Sequence, residues 1–208
     1  MAKHNDRLRV LRETNRVEAF SDGVFAIAAT LLVADLKVPV GIMVPGAIGL
    51  WQAILANWPG YLAFALSFMI VVIFWGNHHQ MLKHIRYTDP MVLVLNGFIL
   101  LGIAFVPHVT ALLAHYLLDP GRATVATAMY AGTLCAVSLA INLFWDYAAR
   151  HPDLLDETAD SPAVQFHTQQ YRLSLGLRVL TVLLAFASVP VCLVMLVMVS
   201  LYYLIPRG

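Results

Sequence analysis

Between Arg16 and Asp35, an otherwise apolar segment carries Arg16, Glu18, Ser21, Asp22, Thr30 and Asp35. Polar side chains at membrane depth are expensive, so a set this dense marks groups that could contact ions, move protons or bond one helix to another. Asp22 lies six residues past Arg16, roughly 9 Å along a helix axis, which puts its carboxylate in the headgroup layer or deeper. It needs a partner there. Glu18, one turn earlier, repels it, so the partner is Arg16 or a donor on another helix, with Trp75, Asn77 and His78 the candidates. On the same helix Ile27, Leu31 and Ala34 stand at i, i+4 and i+7 and form one apolar stripe, bordered by the Thr30 hydroxyl at i+3. Spacing alone makes that stripe a packing face.

The histidines offer a second chemistry. His78 and His79 are adjacent in sequence, so on a helix they point about 100° apart and do not chelate one ion together. No metal or cofactor is expected. His78 is expected to face the first helix and hold Asp22 or Ser21, and His79 to reach the membrane interface beside Lys83 and His84. His108 is expected to be packed and His115 interfacial. The competing reading is a proton-coupled carrier or membrane-embedded enzyme built on Asp22, His78 and His108. The enzyme version lacks paired carboxylates, a nucleophile with its base, or a His-x-x-x-His spacing.

Composition says what must position these residues. Of 208 residues, 60% are hydrophobic and only 12% charged, and the mean hydropathy is +0.75. That leaves too little polar surface to cover a soluble globule, so the chain belongs in a lipid bilayer. A net charge of +1 gives no electrostatic footprint for nucleic acid. Cys135 and Cys192 sit in apolar runs and suggest no disulfide framework.

A helix needs roughly 20 apolar residues to cross a ~30 Å hydrocarbon core, and the charge-poor runs predict six spans, near 16–36, 61–82, 91–117, 123–148, 171–188 and 190–206. Pro39, Gly41, Pro45 and Gly46 separate the first two, with Ala47 to Trp58 a short helix at the outer surface. Asp119-Pro120-Gly121 turns the third into the fourth, and Ser188-Val189-Pro190 divides the last two. Arg150 to Gln170 is expected to be a mobile polar loop. Of the 13 Lys and Arg, only Lys37 and Arg122 fall on one side of this scheme. Lys3, Arg7, Arg9, Arg12, Arg16, Lys83, Arg86, Arg150, Arg172, Arg178 and Arg207 fall on the other, which predicts that both termini are cytoplasmic.

The Arg16 to Asp22 segment, with its three spacers before Phe20-Ser21-Asp22, and the later Phe74-Trp75-Gly76-Asn77-His78-His79, resemble the transmembrane-protein-175 family of potassium channels. The likeness extends more weakly through Ser67-Phe68 and Phe105-Val106-Pro107. It implies an all-α integral membrane protein, a potassium-preferring channel of the prokaryotic cell membrane, assembled as a homotetramer from single six-helix subunits. The resemblance also implies that four copies of the first helix surround the pore, with Ile27 forming the hydrophobic constriction and Thr30, Leu31 and Ala34 facing the axis. No Thr-Val-Gly-Tyr-Gly loop is present. Arg16, Phe20, Ser21, Asp22, Trp75, Asn77 and His78 are expected to form a structural polar network that holds this helix. The small Ala34 is expected to widen the outer part of the pore. The implied partners are potassium ions, further copies of the chain and the lipid bilayer.

Overall fold

The computed structural model describes residues 12–34, 36, 46–156 and 161–204. Lys3, Arg7, Arg9, Asp35, Lys37, Arg207 and the turn residues Pro39, Gly41 and Pro45 lie outside the described residues.

The chain folds as α1 (Asn15–Ala34), α2 (Gly46–Ala56), α3 (Trp58–Lys83), α4 (Pro90–Tyr116), α5 (Ala123–Ala149), α6 (Ser161–Ala187) and α7 (Val189–Leu204). A two-residue strand β1 (Arg12–Glu13) pairs antiparallel with β2 (Tyr87–Thr88). Local sequence sets these boundaries. Proline occupies the first turn of both α3 and α4, where its missing N–H costs no intrahelical bond, and Asp89 caps α4 by accepting from Val92 N at 2.8 Å. Asp119 Oδ1 accepts from the backbone of Gly121 and Arg122 at 2.9 and 3.1 Å, which closes the turn between α4 and α5. Ser188 alone separates α6 from α7, at the residue pair preceding Pro190.

Five segments are long and apolar enough to cross a membrane, namely α1, α3, α4, α5 and Val164–Ala187 of α6. The 16-residue α7 is shorter, roughly 24 Å at 1.5 Å per residue. It runs antiparallel to α6, with the Cys192 thiol 3.3 Å from Thr181 O at one end and the Tyr203 hydroxyl 3.2 Å from Gln170 O at the other.

The bundle is organised around α4, which packs against α1, α3 and α5, while α5 in turn carries α6 and α7. One glycine is required by the closest of these contacts. A Cβ placed on Gly102 would stand 2.5 Å from Val137 Cγ2, so α4 and α5 approach as they do only without a side chain there. Deeper in the core, Ser67 Oγ lies 2.8 Å from both the Tyr130 and Thr110 hydroxyls, joining α3, α5 and α4 with the polar atoms satisfied among themselves.

Two expectations need correction. The Arg150 to Gln170 stretch is largely ordered: a 3-10 turn spans Pro152–Leu154, Arg86 N donates to Leu154 O, Asp156 N donates to His84 O, and α6 begins at Ser161. Backbone bonds to the α3–α4 connection tie the first half down, and residues counted as linker continue α6 by another two turns or more. Arg178, counted among the charges on the cytoplasmic side, is instead buried inside α6 at 2% exposure.

Candidate functional site

The strand pair sets where α1 starts. Thr14 Oγ1 donates to Ile85 O at 2.7 Å beside the β1–β2 ladder, fixing the helix to the loop that joins α3 to α4. From there α1 buries one stripe only, Ser21, Phe25, Ala28 and Leu32, at the i, i+4, i+7, i+11 spacing of a single helix face.

Polar contacts reinforce this stripe at the end where the chain enters. Asn96 of α4 donates through Nδ2 to Ser21 Oγ at 3.0 Å, and its Oδ1 lies 2.8 Å from His78 Nε2 of α3. With the amide nitrogen committed to Ser21, the amide oxygen accepts, and the proton of His78 sits on Nε2. Ser21 Oγ in turn lies 2.7 Å from Val17 O. One residue on, Asp22 Oδ1 accepts from Trp75 Nε1 at 2.8 Å. Glu18 Oε1 approaches His79 Nδ1 to 2.8 Å, and the His79 ring stacks on Trp75 with centroids 5.9 Å apart. Three consecutive acceptors of α1 thus each meet a different group of α3 or α4.

The expected network divides. Ser21, Asp22, Trp75 and His78 are brought together, but in two separate groups rather than one cluster, Trp75 with Asp22 and His78 with Ser21 through Asn96, so His78 holds neither Asp22 nor Ser21 directly. Asn96 is the member that the motif reading missed. Its signal is an amide in the middle of an apolar span, where a polar side chain demands a partner. Arg16 is exposed and pairs with no carboxylate among the described residues, and Phe20 is 67% exposed. Asn77 faces away from α1, into a cavity against α5, α6 and α7. His79 lies against Glu18, in charge contact but without hydrogen-bond alignment, rather than reaching towards Lys83 and His84. His108 is exposed beside Phe105 instead of packed. Asp22 and His78 therefore do not face each other as a catalytic or proton-relay pair. Among the described residues, no three His, Cys, Asp or Glu side chains gather as a metal site.

The opposite face of α1 is bare. Ile27 is 61% and Leu31 49% exposed, Thr30 and Ala34 are exposed beside them, and the Thr30 hydroxyl donates back to Ile27 O at 2.9 Å. In a single subunit this stripe lies outside the buried core.

Residues 16–107 match the family described as the endosomal/lysosomal potassium channel TMEM175. A potassium channel of Chamaesiphon minutus is 45% identical over 177 residues, covering 85% of this chain and 86% of that one. A potassium channel of Streptomyces collinus is 42% identical over 194 residues, 93% and 92% of the two chains. The crystal structure of a lysosomal potassium-selective channel TMEM175 homolog from Chamaesiphon minutus superimposes with a TM-score of 0.82 at 39% identity, covering 91% of this chain and 95% of that one.

Proposed function

Because the chain belongs to the TMEM175 family of potassium channels, we propose that it conducts potassium through a pore walled by α1 from four copies of itself. The observation that carries this reading is the two-sidedness of α1: one stripe is packed and bonded to α3 and α4, while Ile27, Thr30, Leu31 and Ala34 on the other face are exposed in the single subunit. A single helix cannot enclose a path, and closed cyclic assembly supplies the remaining walls.

In that arrangement Ile27 is the constriction, four branched side chains forming an apolar collar that excludes water when narrow. Leu31 lies one turn further along, and the small Ala34 leaves the outer pore wide. Thr30 serves the ion differently. Its hydroxyl proton is spent on Ile27 O, so the oxygen keeps lone pairs for a partly dehydrated cation. The bonds of Ser21 and Asp22 to Asn96 and Trp75 hold the helix that presents these groups, and Arg16 and Phe20, exposed in one subunit, are placed to meet a neighbouring copy. We count α7 as a sixth span because it doubles back along α6. An even number puts both termini on one side, and the Lys and Arg bias makes that side cytoplasmic in a cell membrane.

Single-channel recording of the purified protein in planar bilayers tests this. Discrete potassium currents are expected, with Ile27→Asn raising the leak and lowering the potassium-to-sodium permeability ratio. Unchanged currents and ratio in that variant would place the stripe against lipid and sink the pore assignment. Light scattering is expected to give the mass of four subunits plus bound detergent, and a monodisperse monomer would overturn the assembly.

A further inference from the structure

Away from α1, a cavity of about 440 Å³ opens between α3, α5, α6 and α7. Its lining is polar but carries no formal charge among carboxylates or lysines: Asn77 and Gln80 of α3, Ser138 and Asn142 of α5, and Gln170 and Ser174 of α6 are its hydrogen-bonding groups, with His167 of α6 and the two tyrosines at the end of α7. Along α6 the lining follows one helix face, from His167 through Gln170 and Tyr171 to Ser174. The next turn on that face brings Arg178.

Arg178 is the unusual group. It lies within the apolar Val164–Ala187 span and is 2% exposed, with its guanidinium carbon 5.3 Å from the centre of the Phe74 ring, which itself lines the cavity. Its Nε and Nη1 hydrogens meet no acceptor among the described residues. The side chain stays charged, so burial without a counter-charge is costly, and the aromatic face offsets only part of that cost. The Ser138 hydroxyl, on a residue of α5 that lines the cavity, is likewise buried without a partner among the described residues. A deep cation with unspent donors, one turn beyond Ser174 and against the Phe74 ring that lines the cavity, repels potassium and attracts negative charge.

We propose that this cavity is a binding site for a small inorganic anion, held by Arg178 with the hydroxyls of Ser174 and Ser138 as further donors. Each subunit carries its own site, separate from the pore stripe. The anion neutralises a charge that otherwise weakens the packing of α6 and α7 against α3 and α5, so occupancy is a stabilising device rather than a step in conduction.

The test is thermal unfolding of the purified protein in detergent at constant ionic strength, with gluconate replaced stepwise by chloride and, in a second series, by phosphate. A saturating rise of the melting temperature by several degrees is expected with at least one of the two anions, the pair reporting whether the site takes a halide or an oxyanion. Arg178→Gln is expected to abolish the rise, and Ser174→Ala to shift its midpoint to higher anion concentration. Should Arg178→Gln fail to fold, Ser174→Ala and Ser138→Ala carry the comparison, together with anomalous scattering from crystals in bromide. Absence of an anion-dependent rise in the unaltered protein would overturn the proposal, and so would equal rises in both serine variants with no bromide at the inner end of the cavity.

Discussion

Helices α1 and α4 lie against each other and are both apolar enough to cross a membrane, yet different forces place them. α4 buries residues from Val92 to Leu113 on faces that meet α1, α3 and α5, and at Gly102 it approaches α5 closely enough that no side chain fits. α1 buries a single stripe and leaves Phe20, Ile27, Leu31 and Val33 largely bare. The difference is instructive because lipid tails solvate leucine as well as another helix does, so apolar burial by itself fixes nothing in a bilayer. Close packing positions α4. Polar bonds at one end position α1, and they leave its other face free for a second copy.

The largest effect belongs to α4. Gly102→Leu places four extra carbons where one already collides with Val137, and an overpacked core of this kind costs about 3 kcal/mol. Loss of the monodisperse peak in size-exclusion chromatography is expected. Gly102→Ala is expected to fold with a lowered melting temperature that Val137→Ala restores. If Val137→Ala gives no rescue, the close approach is not what holds the two helices.

On α1 the polar anchors should rank below this. Asn96→Leu removes the bonds to both Ser21 and His78, and at the modest strength of interhelical hydrogen bonds in membranes the loss is about 1–2 kcal/mol. Trp75→Phe removes one donor from Asp22, worth about 1 kcal/mol. Asp22→Asn keeps an amide oxygen for the same indole and is expected to cost less than Trp75→Phe, while Arg16→Ala, on an exposed side chain, should scarcely move the melting temperature of a dissociated subunit. A thermal series over the four variants checks the order. Asp22→Asn proving worse than Trp75→Phe would mean that the charge of Asp22, not its acceptor oxygen, anchors α1.

What the sequence makes legible follows from the same physics. A carboxylate at headgroup depth demands a donor, and that alone narrows the partner of Asp22 to a few residues including Trp75. It cannot separate Trp75 from Asn77, because both occupy the end of α3 and only the rotation of the helix about its axis decides which one faces α1. Asn96 stands in plain view as an amide in an apolar run, but a bridging role requires knowing that α4 packs against both α1 and α3. Arg178 misleads for a related reason. Charge marks the cytoplasmic side only when solvent is near, and Arg178, counted with the cytoplasmic charges, lies buried within α6, over Phe74. The polar stretch before α6 hides its order because backbone bonds, such as Arg86 N to Leu154 O, leave no trace in residue type.

The smallest effect on folding, and the sharpest on conduction, is expected at the bare face. Ile27 is largely exposed in its own subunit, so Ile27→Ala should alter subunit stability by less than about 0.5 kcal/mol, the range of ordinary exposed sites. In the proposed channel the same change would remove three carbons from each side of the collar, which would let ions pass with more of their hydration shell. Leak should rise, and sodium should gain on potassium. Thr30→Val removes the oxygen without widening the collar, and the hydrogen bond that it deletes is internal to α1, from Thr30 to Ile27 O. Potassium preference should therefore fall while basal leak stays low. The pair separates two roles that one stripe combines: if both variants raise leak equally, Thr30 acts through the position of Ile27 rather than through its own hydroxyl, and the division between an apolar gate and a polar contact is lost.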